Sequence, residues 1–270
     1  MTLLEPKPLR VKASRQPYGL FALATVGVAF LILPLIGLVV RAPWRSAASI
    51  VRRGDVTTAL RLSLETATIS TIFALVLGVP IAWCLARTSF RARSLLRALC
   101  TLPLVLPPVA GGIALLLAYG RRGVVGEWLL RAFGVSLPFT TAGVVVAETF
   151  VAMPFLIVAV EGSLRGLDVR YDAAAASLGA SRTFTFRHVT LPMVAPGIAA
   201  GAVLCWARAL GEFGATITFA GSYPGTTQTM PLQVYLALQD DPQAAIVLSL
   251  LLLAVSVAVL VGLRDRWWSR

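Results

Sequence analysis

Arg208 and Glu212 stand four residues apart in "ARALGEFGAT", a spacing that puts a cation and a carboxylate on one face of a helix, where each neutralises the other. Unpaired, either would be costly in an apolar environment, so the pair reads as a structural tie between helices or as a charged point on a path. Little else in the chain is spaced for reactive chemistry. The single histidine, His188, cannot assemble a metal cluster and reads as a polar surface residue. Cys84, Cys100 and Cys205 lack ligand-like spacing and read as small apolar fillers, with no disulfide expected. No G-x-x-x-x-G-K-[ST] run occurs, and the nearest Gly-rich text, "GRRGVVGE", lacks the lysine. A membrane enzyme would need convergent His, Asp or Ser residues near an interface, and none are seen. The chemistry to be explained is therefore movement or binding rather than catalysis.

The elements that must hold these charges belong to a very apolar chain. Of 270 residues, 57% are hydrophobic and only 13% charged, with a mean hydropathy of +0.82; soluble domains carry about 25% charged residues. This is the composition of an integral membrane protein. The formal charge of +12 is scattered in short clusters at the ends of apolar runs, which favours membrane orientation over nucleic-acid binding. Six spans are predicted, at 18–40, 60–86, 99–119, 139–163, 193–221 and 244–263, each long enough for the ~20 residues that cross a hydrocarbon core. The first follows Lys7, Arg10, Lys12 and Arg15, but it exceeds the ~7 to 15 residues of a signal-peptide core and reads as a retained helix. The predicted organisation is thus a basic tail, 1–17, and one all-α transmembrane domain, 18–270.

With the N-terminus inside, the inner segments carry fifteen Lys and Arg and the outer segments eight, which favours a multi-pass protein with both termini cytoplasmic. The Lys- and Arg-free stretch "SYPGTTQTMPLQVYLALQDDPQ" then faces out. Glu65 and Glu148 fall within spans and are expected to bond to neighbouring helices. Pro103, Pro107 and Pro108 in "LPLVLPPVAGG" cannot sit in a regular lipid-facing helix, so this segment is expected in the interior, with an entry turn just below the membrane as the alternative for Pro103.

On the inner side lies "YDAAAASLGASRTFTFRHVTLP", Tyr171 to Pro192. "DAAAASL" has high helix propensity, and Gly179 suits the left-handed turn that ends such a helix. Ser181 is placed to cap a second short helix, Phe184 and Phe186 to anchor it, and Leu191-Pro192 to break the chain before the next span. Four alanines leave a surface that a partner can approach closely. An amphipathic connector in the lipid headgroups is the rival reading.

This stretch resembles the EAA loop of ABC-importer permeases, in which Glu-Ala-Ala is followed by three residues and Gly, and nine residues later by a hydrophobic residue, any residue and Leu-Pro. Gly179, Val189, Leu191 and Pro192 match in register; the head falls on Ala173, Ala174 and Ala175, so the Glu position holds Ala173, with Asp172 one residue earlier. "LRLSLETATIS", "LPLVLPPVAGGIALLLAYGRRG", "VAMPFL" and "ARALGEFGATITFAGSYPGTTQTMPLQVY" resemble the molybdate-importer permeases, and nearly as well those of sulfate importers.

The resemblance implies the type I ABC-importer permease fold, with a cytoplasmic coupling helix in a loop at about 164–192. It implies a permease homodimer in a prokaryotic cytoplasmic membrane, with two ABC ATPase subunits and an extracytoplasmic oxyanion-binding protein. No cofactor is expected on this chain; ATP and Mg belong to the ATPase. Coupling contacts are expected from Tyr171, Asp172, Ala173, Ala174, Ala175, Leu178, Gly179, Ser181 and Arg182, and loop anchoring from Phe184, Phe186, Leu191 and Pro192. Arg208, Glu212 and Thr216 become candidates for the translocation path, with Arg208 facing the anion. The implied cargo is molybdate or tungstate, with sulfate or thiosulfate as the alternative and an ATPase-independent secondary transporter as a different class. Charge explains the need for ATP: entering a cell negative inside, a divalent anion works against about 4.6 kcal/mol per 100 mV. A passive channel would hold it about a thousandfold below the outside concentration.

Overall fold

The computed structural model describes residues 18–168 and 170–268. The chain divides into two compact units, Met1–Ala42 and Pro43–Arg270. In the first, α1 (Tyr18–Val40) is a 23-residue helix without a charged side chain. It coincides with the first predicted span. The basic tail expected over 1–17 lies outside the described residues.

Among its described residues, the second unit has helices as its regular secondary structure. It comprises α2 (Trp44–Val51), α3 (Gly54–Arg87), α4 (Arg93–Val105), α5 (Pro108–Tyr119), α6 (Gly126–Phe133), α7 (Thr141–Gly166), α8 (Arg170–Ser177), α9 (Arg182–Thr185), a π turn (Phe186–Thr190), α10 (Leu191–Leu210), α11 (Gly214–Phe219), α12 (Met230–Asp240) and α13 (Pro242–Trp268). Among the described residues of both units, α1 included, five helices are long and apolar enough to cross a membrane, or six if α4 and α5 form one bent span.

The core lies where α3, α7 and α10 pack on one another. Ala67, Ala74 and Ala82 of α3 are completely buried against Ala152, Leu156, Ile157 and Val160 of α7 and Cys205 and Ala209 of α10. Small side chains bring helix backbones close together, the packing expected where lipid supplies no hydrophobic drive. A second cluster joins α5 and α11 to α7 through Leu115, Val151, Ala215 and Phe219. The approach of α5 to α11 requires glycine: a Cβ on Gly112 would lie 2.6 Å from Thr218 Cβ.

Three predicted spans are corrected. The third is not one helix: α4 and α5 are bent by 119°. Leu106 and Pro107 are both extended, with ψ 128° and 133°, because each precedes a proline and is pushed out of the helical region. Pro103 makes no entry turn and lies inside α4. The fifth span starts earlier and stops sooner than expected. Helix runs unbroken from Arg182 through the π turn to Leu210. Leu191-Pro192 does not break it: Pro192 lacks the N–H an α turn needs, and Leu191 N–H already bonds Phe186 O, five residues back. After Leu210 the chain turns at Gly211, where Glu212 accepts the Ala215 N–H at 2.8 Å and opens α11. The second span starts at Gly54, so Arg61 and Glu65 pair at 2.6 Å on one helix, not between neighbouring helices.

Glu148 does bond across helices. Thr66 and Ser70 of α3 each donate to it at 2.9 Å. Glu161 of α7, absent from the sequence reading, receives Arg97 of α4 at 2.6 Å and Arg165 at 2.8 Å. Its carboxylate is buried while both arginines stay partly exposed. Glu161→Ala strands two partly exposed cations and is expected to cost about 2 kcal/mol, less than a fully buried pair. Thermal melting of the detergent-purified protein checks this; an unchanged midpoint would refute the tie between α4 and α7.

Candidate functional site

Two places gather the candidate residues. One is the loop between α7 and α10, where α8 ends in a left-handed turn at Gly179, with φ +81°. Gly179 N–H bonds Ala176 O and Ala180 N–H bonds Ala175 O, both at 3.0 Å, the paired closure of a Schellman cap. Ser181 then caps α9 by accepting the Phe184 N–H at 3.2 Å. Two short helices are thereby set at a defined angle by one glycine and one serine.

The faces of α8 differ. Tyr171, Ala173, Ala174 and Leu178 are exposed, Leu178 at 89%, an apolar surface with small side chains at its centre. Asp172 and Ala175 are half-buried. Asp172 is drawn to the body of the protein: Thr190 in the π turn donates to Oδ1 at 3.1 Å, and Arg87 at the end of α3 lies 3.6 Å from Oδ2. Arg87 also donates to Leu167 O, the C-cap of α7, at 3.4 Å. One carboxylate thus links α8 to the ends of α3, α7 and α10. Arg87 was missed in the sequence because it lies far along the chain from Asp172, and Thr190, 18 residues away in the same loop, because nothing local signals the π turn that presents it.

The two expected anchors behave differently. Phe186 meets Trp83 of α3 edge-on, with ring centroids 6.1 Å apart. Phe184 stays half-exposed and stacks on His188 at 4.2 Å. Leu191 is partly buried, while Ser181, Arg182 and Pro192 are exposed.

The second place is a cavity of about 100 Å³ beside the α4–α5 break, lined by Pro103, Leu104, Leu106, Pro108, Phe150, Phe155 and Arg208. Arg208 pairs with Glu212 at 2.6 Å. The Arg208 side chain keeps 28% of its surface exposed, whereas the Glu212 side chain retains 1%. Thr216 is fully buried and does not line the cavity. The structure therefore brings Arg208 to a cavity wall and places Glu212 behind it.

Residues 74–270 match the family described as binding-protein-dependent transport system inner membrane component. The chain is 46% identical over 250 residues to the molybdenum transport system permease protein ModB of Mycobacterium tuberculosis, covering 93% of this chain and 94% of that one. It is 35% identical over 237 residues to the sulfate transport system permease protein CysT of Escherichia coli, covering 86% and 85%. Among solved structures, a bacterial ABC transporter importing alginate matches 93% of this chain and 96% of its own with a TM-score of 0.75. At 15% identity that likeness concerns the fold alone.

Proposed function

This chain belongs to the family of binding-protein-dependent transport system inner membrane components, and from that premise we propose that it is the permease subunit of an ATP-driven molybdate importer. The observation that carries the reading is α8. A helix with an exposed, small-residue apolar face is tied by Asp172 to three membrane helices, so a partner that shifts α8 shifts them too. The partner we assign is a cytoplasmic ABC ATPase, present in two copies beneath a homodimer of this chain, with ATP and Mg bound by the ATPase. Tyr171, Ala173, Ala174, Leu178 and Gly179 would meet it, with Ser181 and Arg182 at the rim. Asp172 and Ala175 would hold the helix from behind, with Phe186 and Leu191 against α3. An extracytoplasmic oxyanion-binding protein would deliver cargo at the other face. Both termini would lie inside, as the Lys and Arg asymmetry supports.

Molybdate is preferred to sulfate because the molybdenum permease is the more similar relative over a larger share of the chain. For the path we assign Arg208 at the cavity, with Glu212 and Thr216 behind it. The test is uptake of labelled molybdate at nanomolar concentration by cells with and without this gene, under a large excess of sulfate. Loss of uptake on deletion, with sulfate ineffective against the intact system, is expected. Abolition by sulfate would transfer the assignment to sulfate import, and uptake surviving deletion would refute the molybdate assignment.

A further inference from the structure

We propose that Arg208 is a weak oxyanion station at the break between α4 and α5, and that Glu212 is its positioning residue. The inference rests on the importer reading above and gives the path residue assigned there its ligand class and its charge balance. Non-helical backbone at membrane depth persists only where protein buries it or where it lines a cavity. Here the extended residues Leu106 and Pro107 stand at the break, and Leu106, Pro103 and Pro108 form one wall of the cavity. Phe150 and Phe155 of α7 form another, and Arg208 is the one charged residue in the lining. A space of about 100 Å³ corresponds to roughly three waters at their liquid volume. That is the scale of a compact tetrahedral oxyanion without its hydration shell.

The guanidinium is divided between two tasks. One terminal nitrogen lies 2.6 Å from Glu212 Oε2, a close charge pair without the alignment of a hydrogen bond. No nitrogen of the guanidinium makes a hydrogen bond among the described residues, so the donors of the planar fork stay available to an anion's oxygens. Glu212 does not face the cargo. It is buried, and its Oε1 is fixed by the Ala215 N–H at 2.8 Å. The carboxylate therefore draws one side of the fork toward it by charge and offsets that charge. This offset suits transit, because a conducting site must attract cargo enough to admit it and weakly enough to release it. An unopposed arginine in a small apolar cavity would retain a divalent anion.

The test uses the whole complex in proteoliposomes with molybdate-loaded binding protein, comparing wild type with the Arg208→Gln/Glu212→Gln double variant. The double variant leaves no stranded charge, so its melting midpoint is expected to stay close to wild type. Molybdate moved per ATP hydrolysed is expected to fall at least about tenfold, because the bidentate donor is gone. A purely structural pair would change melting and hydrolysis together and leave that ratio unchanged, which would overturn the station. If the double variant does not assemble, Arg208→Lys decides. Lysine keeps the charge pair with Glu212 but loses the planar fork, so the ratio is expected to fall several-fold with melting preserved. An unchanged ratio in that variant overturns the proposal. Failure of the wild-type complex to move molybdate would instead overturn the importer reading on which the station rests.

Discussion

Gly179→Asp is expected to reduce uptake more than about tenfold while the protein remains in the membrane at normal abundance. Its φ of +81° is a left-handed conformation that costs an L-residue roughly 1–2 kcal/mol. A Cβ added there meets nothing within 4 Å, so the chain itself presents no clash. The expected loss comes from outside: a carboxylate enters the exposed face next to Leu178, on the surface assigned to the ATPase. Gly179→Ala separates the two causes, because it carries the strain without the charge. Alanine is expected to retain most of the uptake. Wild-type uptake by the Asp variant at equal expression would remove α8 as the coupling element.

The second large effect is expected at Asp172. Its partners are Thr190 at 3.1 Å and Arg87 at 3.6 Å, and the Asp172 side chain is 38% exposed, so the pair adds at most about 1 kcal/mol to stability. Uptake should be far more sensitive. Asp172→Ala cuts α8 from α3 and the π turn together, and ATP hydrolysis should lose its response to loaded binding protein while melting changes little. Asp172→Asn keeps an oxygen for Thr190 but loses the charge for Arg87, and should fall between. A normal response in the alanine variant would show that α8 transmits its movement by another route.

Much of this was readable from the sequence, and the limits have physical causes. The first span was placed to the residue, because an uncharged apolar run of that length has one stable solution in lipid. Gly179 and Ser181 were placed correctly in the loop, since caps depend on local backbone geometry. The prolines announced a break in the third span, but only the structure shows Leu106 and Pro107 extended and Pro103 kept within α4. Partners far apart along the chain stayed hidden. Glu161 meets Arg97 from 64 residues away, and Glu148 meets Thr66 from 82. Periodicity and propensity carry no information about such pairs. Arg208 and Glu212, four apart on one helix turn, were legible as a pair, but the cavity in front of Arg208 requires the bent helix to exist.

The π turn at 186–190 has a consequence for how the two sites are phased. Each residue of an α-helix advances its side chain by about 100° around the axis, and a π turn inserts one residue into that count. The azimuth of every side chain from Leu191 to Leu210 is therefore indexed to the loop through this single insertion. The π turn takes up one extra residue, so deleting a residue between Phe186 and Thr190 would restore plain α-helical winding with Arg208 close to its present azimuth, whereas deleting one residue between Leu191 and Ala207 would rotate Arg208 by about 100° relative to the loop. After that second deletion the cap at Gly179 and the apolar length of the span would both survive, yet the guanidinium would no longer point at the wall where the third span is broken.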